Sequence, residues 1–158
     1  MTTVGFTGHQ NMPAAALGFI EQGIRESLRR AGRPLAGVAS LAAGADQLFA
    51  ALLLEAGGSL DIIVPCAGFE TTFTDPGVLA TYRGLLRRAR ALEQLPFAAP
   101  SEEAFMAAGV RVIDRCDLLV AVWDGRPAAG LGGTGDVVRR AHAVGRPVQV
   151  VWPAGVTR

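Results

Sequence analysis

Residues 117–134 read DLLVAVWDGRPAAGLGGT. Leu118 to Trp123 is an unbroken apolar run, and Asp124-Gly125 breaks it. A loop then leads to Gly132-Gly133-Thr134-Gly135-Asp136, and an amphipathic run begins at Val137. The pattern is a buried strand, a loop and a glycine-rich helix start. Glycine lets backbone amides approach a ligand closely. The first turn of a helix leaves N–H groups unpaired at the positive end of the macrodipole. An anion, most often a phosphate, is the natural guest of such a turn.

Outward from this stretch, strand-like and helix-like segments alternate, which predicts an α/β fold built on a parallel sheet. Val4 to Thr7, Gly37 to Leu41, Leu60 to Val64, Leu118 to Trp123 and Pro147 to Trp152 read as strands. Ala91 to Phe97 reads as a short extra one. Pro13 suits a first helical turn, and Leu17, Ile20, Ile24 and Leu28 mark one helix face as far as Gly32. Asp46 suits a helix cap, Pro76 opens a helix that runs to about Arg90, and Ser101 followed by Glu102 and Glu103 starts another. Phe105, Val112, Ile113 and Cys116 share that helix's buried face. About five parallel strands with helices on both faces make a Rossmann-like, doubly wound sheet over 1–158, with expected order 3-2-1-4-5. Ligands bind such sheets beyond the carboxyl ends of the strands, at the switch point. Four loops belong at that edge: 7–11, 42–46, 66–75 and 124–136. The first and last meet at the switch point.

Composition narrows the function. The formal charge is +1, which gives no electrostatic case for nucleic acid, so a nucleic-acid partner is not expected. The fifteen basic residues are all arginine, so there is no lysine for a Walker-type loop or a Schiff base. No apolar run approaches a membrane span, and the first ten residues lack the character of a signal peptide, so a cytoplasmic protein without a membrane partner is expected. Cys66 and Cys116 are too few for a disulfide framework, and no Cys/His spacing suits zinc, so neither a metal nor a cofactor is expected. Cys116 reads as a small core residue, while Cys66, at a strand end, could line a pocket.

The candidate site residues each have a plainer alternative. Thr7, Gly8 and His9 either contact a phosphate or base, or simply form a tight turn. Their spacing is not GxGxxG, and no acidic residue closes the second strand, which argues against dehydrogenase chemistry. Gly44 and Asp46 either hold a ribose or phosphate, or cap a helix. Gly132, Gly133 and Thr134 are favoured as ligand contacts. Asp124 and Asp136 are the carboxylates nearest that loop and would serve as acid, base or nucleophile in an enzyme. Arg25, Arg29, Arg30 and Arg33 read as a solvated helix face.

Taken together, Gly5-Phe6-Thr7-Gly8-His9, Gly44-Ala45-Asp46 and 117–125 with Gly132-Gly133-Thr134 resemble, in order, the motifs of the SLOG superfamily. The chain looks most like its small stand-alone bacterial members, including those resembling the YpsA group. The resemblance implies a nucleotide or nucleotide-derived ligand such as an ADP-ribose-like molecule. It places Gly8, Gly44, Gly132, Gly133 and Thr134 at the phosphate and ribose. The superfamily includes nucleotide sensors, the "LOG"-type phosphoribohydrolases and the DNA-processing protein A. The phosphoribohydrolases carry two acidic residues after their glycine turn. Here the first is Asp136 and the second position is Val137, and their upstream arginine falls near Ala108. A carboxylate one residue away on a helix points about 100° elsewhere. Binding or sensing of a nucleotide is therefore favoured, with cleavage or transfer at an N-glycosidic bond as the alternative. Self-association into a homodimer is left open.

Overall fold

The computed structural model describes residues 1–127 and 131–158. Among these the chain runs β1 (Thr2–Gly8), α1 (Ala14–Ala31), β2 (Leu35–Ala39), α2 (Ala45–Glu55) and β3 (Ser59–Val64). A short 3-10 turn (Phe69–Thr72) precedes α3 (Pro76–Arg88), β4 (Ala91–Gln94), α4 (Glu102–Arg115), β5 (Leu118–Val122), α5 (Thr134–Ala143) and β6 (Val148–Val151). All strand pairs are parallel, in the order β4-β3-β2-β1-β5-β6. The expected order is recovered with one strand added: the extra segment at Ala91 pairs outside β3 as an edge strand. No helix among the described residues is long and apolar enough to cross a membrane.

The sheet is covered on both faces. Ile20, Ile24, Phe49 and Leu53 of α1 and α2 pack on one side with Ile62, while Ala108, Val112, Val137 and Ala141 of α4 and α5 pack on the other with Ile63. Adjacent residues of β3 thus serve opposite cores, as the period of two requires. Inner strands buried on both faces become unbroken apolar runs, which is why Leu118 to Val122 is so legible in the sequence. Close approach is built in: a Cβ on Gly5 of β1 would lie 2.7 Å from the Cys116 Sγ at the end of α4. Cys116 is the core residue the sequence suggests.

Local chemistry sets most helix ends. Asp75 caps α3 by accepting from the Gly77 and Val78 amides, with Pro76 following it. The Ser101 Oγ accepts from the Ala104 amide at 3.0 Å to start α4. Two expectations shift. Leu17 is 43% exposed, because the buried stripe of α1 runs Ala16, Ile20, Ile24, Leu28 at strict fourfold spacing and Leu17 lies one step off it. The second strand begins at Leu35, and Leu41 falls beyond its end with φ 61°.

Candidate functional site

A cleft of about 880 Å³ opens at the carboxyl edge of the sheet. Thr7, Gly8 and His9 line it from β1, Ala42 and Asp46 from the β2 loop, and Phe69 and Phe73 from the β3 loop. The starts of α4 and α5 close it with Glu102, Phe105, Gly132, Gly133 and Thr134. The four expected loops do share one edge. Part of the last, 128–130, lies outside the described residues. At the switch point β1 and β5 are stitched together, with the His9 amide donating to the Val122 carbonyl at 3.2 Å.

The glycine-rich turn is partly structural. Gly132 has φ 87°, and a Cβ there would stand 2.8 Å from the Met106 nitrogen and 3.0 Å from the Glu102 oxygen. That residue must be glycine to let the turn lie on α4. Gly133 is the N-cap of α5, in extended backbone, and no side chain among the described residues caps the helix. Thr134 is the first helical residue of α5 rather than its cap. The uncapped end faces the cleft.

Gly44 does not line the cleft. With φ 85° it abuts the neighbouring loop, where a Cβ would lie 2.1 Å from the Gln10 oxygen. The adjacent Ala45 amide donates to the His9 carbonyl at 3.2 Å, so Gly44 locks the β1 and β2 loops together. Asp46 is not a cap either. Its carboxylate turns back to accept from the Ala42 amide at 3.3 Å and lines the cleft while only 6% exposed. Burial pushes its carboxyl up to about 7, against the pull of backbone N–H groups at Ala42 and Ser40. Gln47 donates to the Leu41 carbonyl at 3.3 Å, holding the left-handed residue that shapes this loop.

His9 and Asp124 form a buried pair, with side chains 5% and 2% exposed and Nε2 3.3 Å from Oδ1. The Asp124 amide donates to the same Nε2 at 3.1 Å, and the Arg158 guanidinium sits 3.0 Å from Nδ1. A neutral imidazole accepts at only one nitrogen, so it serves one of these donors at a time. Burial, then the Arg158 charge, lowers the His9 pKa, and Asp124 opposes both. For Asp124, burial raises the pKa. The Arg126 amide, His9 and Arg158 outweigh it and leave the pKa below the ordinary value. Its Oδ2 has no hydrogen-bond partner among the described residues, and the Arg158 Nε is 3.4 Å away. Asp124 lies behind His9 rather than on the cleft wall. Asp136 is bound to Arg139 at 3.0 Å and does not line the cleft. Neither proposed catalytic carboxylate therefore faces the site, whereas Asp46 does.

Other residues differ from, or escape, the sequence account. Arg158 is the one arginine on the cleft wall among the described residues, and nothing near it in sequence signals that. Phe105 reads as part of a buried helix face but is only half buried and lines the cleft. Cys66 is buried and does not line it. The arginine cluster of α1 is a surface network, with Arg25 pairing to Glu21 and Glu55, and Arg29 and Arg30 to Glu26. It borders a smaller concavity of about 420 Å³ at the opposite edge of the sheet.

No family model matches the chain, and no curated protein matches its sequence. Solved structures do. DNA processing protein A from Helicobacter pylori, described for a unique single-stranded DNA binding mode, matches with a TM-score of 0.69 at 16% identity over 94% of this chain. The same protein from Streptococcus pneumoniae matches with a TM-score of 0.66 at 18% identity, again over 94%. This chain spans 64% and 50% of those two proteins. The structural-genomics target TM1055 matches with a TM-score of 0.60 at 15% identity, over 94% of this chain and 72% of its own. These similarities show the Rossmann-like fold that the motifs imply, and at 15–18% identity they show the fold alone. They also overturn the exclusion of nucleic acid, since two of the three are DNA-processing proteins. That exclusion rested on whole-chain charge, whereas single strands are also held by stacking, which net charge does not report.

Proposed function

We propose that this protein binds a nucleotide in the cleft at the carboxyl edge of its sheet, with a phosphate against the start of α5. One observation carries the proposal: the uncapped N-terminus of α5 opens onto the same cleft as Thr7, Gly8 and His9. A helix end of this kind offers N–H groups and partial positive charge to an anion. The Arg158 guanidinium adds a cation to the same wall. At about 880 Å³ the cleft falls in the range of small-molecule sites. Recognition is favoured over N-glycosidic cleavage because Asp136 is engaged by Arg139 and Asp124 is screened by His9.

Gly133→Asp is the decisive variant. Aspartate is a good N-cap, and the φ of −72° at Gly133 suits any L-residue, so the backbone there accepts it, and circular dichroism checks that the variant is folded. Its carboxylate would occupy the anion's place. Titration calorimetry with adenosine 5′-monophosphate and with ADP-ribose should show binding to the wild type and a loss of at least about tenfold in the variant, equal to roughly 1.4 kcal/mol. Unchanged affinity would place the phosphate elsewhere. A second reading, that the cleft holds nucleotide units of a single strand, is favoured by the likeness to DNA processing protein A. Under that reading an oligonucleotide binds more tightly than a mononucleotide and weakens with added salt.

A further inference from the structure

We infer that Phe73 and Phe105, backed by Phe69, form a nucleobase-stacking subsite continuous with the phosphate-binding turn. The inference rests on the nucleotide reading above and says where the base lies. The cleft is chemically two-sided. One wall is glycine turn and backbone, and the other is aromatic.

The two walls adjoin. A Cβ on Gly132 would stand 3.1 Å from the Phe105 Cβ, so the aromatic wall begins where the glycine turn rests on α4. From Phe105 the wall continues to Phe69, with ring centroids 6.2 Å apart and planes at 66°. Phe69 in turn meets Phe73 at 5.3 Å and 73°. Aromatic clusters usually belong to a core, and Phe69 at 5% exposure and Tyr82 at 2% do. Phe69 also reaches the cleft wall, but Phe73 and Phe105 are only half buried there, and they come from separate elements, the β3 loop and the first turn of α4. Phe69 holds them in place from behind. The buried Asp46 carboxyl on the same cleft adds a hydrogen-bonding group, anchored by the Ala42 amide, for a sugar hydroxyl or a base edge. A ligand carrying both a phosphate and a planar base satisfies both walls, whereas a simple sugar phosphate satisfies one.

The test compares adenosine 5′-monophosphate, uridine 5′-monophosphate, ribose 5-phosphate and a thymidine oligonucleotide by calorimetry. The proteins are the wild type, Phe73→Ala, Phe73→Tyr and Phe105→Leu. Circular dichroism confirms that each variant is folded. In the wild type the adenine nucleotide binds about 5- to 150-fold more tightly than ribose 5-phosphate, the range expected of one stacked base. Phe73→Ala removes that advantage and leaves ribose 5-phosphate unchanged, Phe73→Tyr keeps it, and Phe105→Leu reduces it. Phe73-dependent binding of the oligonucleotide with weak mononucleotide binding supports the same subsite, with a single strand as the source of the base. Equal affinity of the wild type for the adenine nucleotide and ribose 5-phosphate would overturn the base subsite alone and leave the phosphate site standing. An equal loss of both ligands in Phe73→Ala would do the same. If no phosphate compound binds, the phosphate reading falls and the base subsite falls with it.

Discussion

Asp46 shows how one residue's surroundings set its chemistry. Its folded pKa of about 7 lies above the ordinary 3.8, so holding its proton contributes stability that is complete below pH 3.8 and lost as pH rises through about 7. Asp46→Asn lacks that dependence, and its amide oxygen can still accept from Ala42. The melting temperature of the variant minus that of the wild type should therefore rise between pH 3.8 and 7 and level off above it. A difference independent of pH would mean that Asp46 is solvated. His9 works in the opposite sense, since its lowered pKa destabilises the fold as pH falls below 6.5, but both proteins share it and it cancels in the difference. Asp124 opposes the lowering of the His9 pKa through charge and hydrogen bonding. Asp124→Asn should move the His9 titration, followed by NMR, to still lower pH. An unmoved titration would separate the two side chains in solution.

The glycines and caps act on the scale of the element. Gly125 and Gly132 both have positive φ, at 84° and 87°, but a Cβ on Gly125 meets nothing within 4 Å, while one on Gly132 meets the α4 backbone. Gly125→Ala should cost about 1–2 kcal/mol for the left-handed conformation alone. Gly132→Ala should cost a further ~1–3 kcal/mol of overpacking, read from urea midpoints. Equal losses would show that the turn does not rest on α4. Ser101→Ala removes the α4 cap and should cost about 1 kcal/mol. At this scale the sequence was most legible where period and punctuation agree. Leu118 to Val122 is apolar throughout because it is buried on both faces, and Pro76 and Ser101-Glu102-Glu103 mark helix starts by local chemistry. Legibility was poorer at Asp46, whose carboxylate suits a cap in sequence. The left-handed Leu41 shapes the short loop that brings the Ala42 amide to its carboxylate instead, a turn that the residue types there do not signal.

Across the whole molecule, the strand order and the ligand-binding edge follow from the alternation of strands and helices. The convergence of Gly8, His9 and Gly132 to Thr134 follows from that order and from the switch-point rule. What stayed hidden depends on distance in sequence. Arg158 reaches His9 across 149 positions, and Phe105 meets Phe69 only once the β3 loop packs against α4. Charge misled for a related reason: a net value of +1 sums the fifteen arginines without their positions, and several of them are paired with carboxylates on helix surfaces. A nucleotide site at the carboxyl edge is best sought by mapping amide NMR shifts on adding adenosine 5′-monophosphate to the ¹⁵N-labelled protein. Saturable shifts should concentrate at Gly8, His9, Phe105, Gly133 and Thr134. Shifts centred instead on Gln22, Gly32 and Arg33 at the opposite edge, or no shifts at the glycine turn, would contradict it.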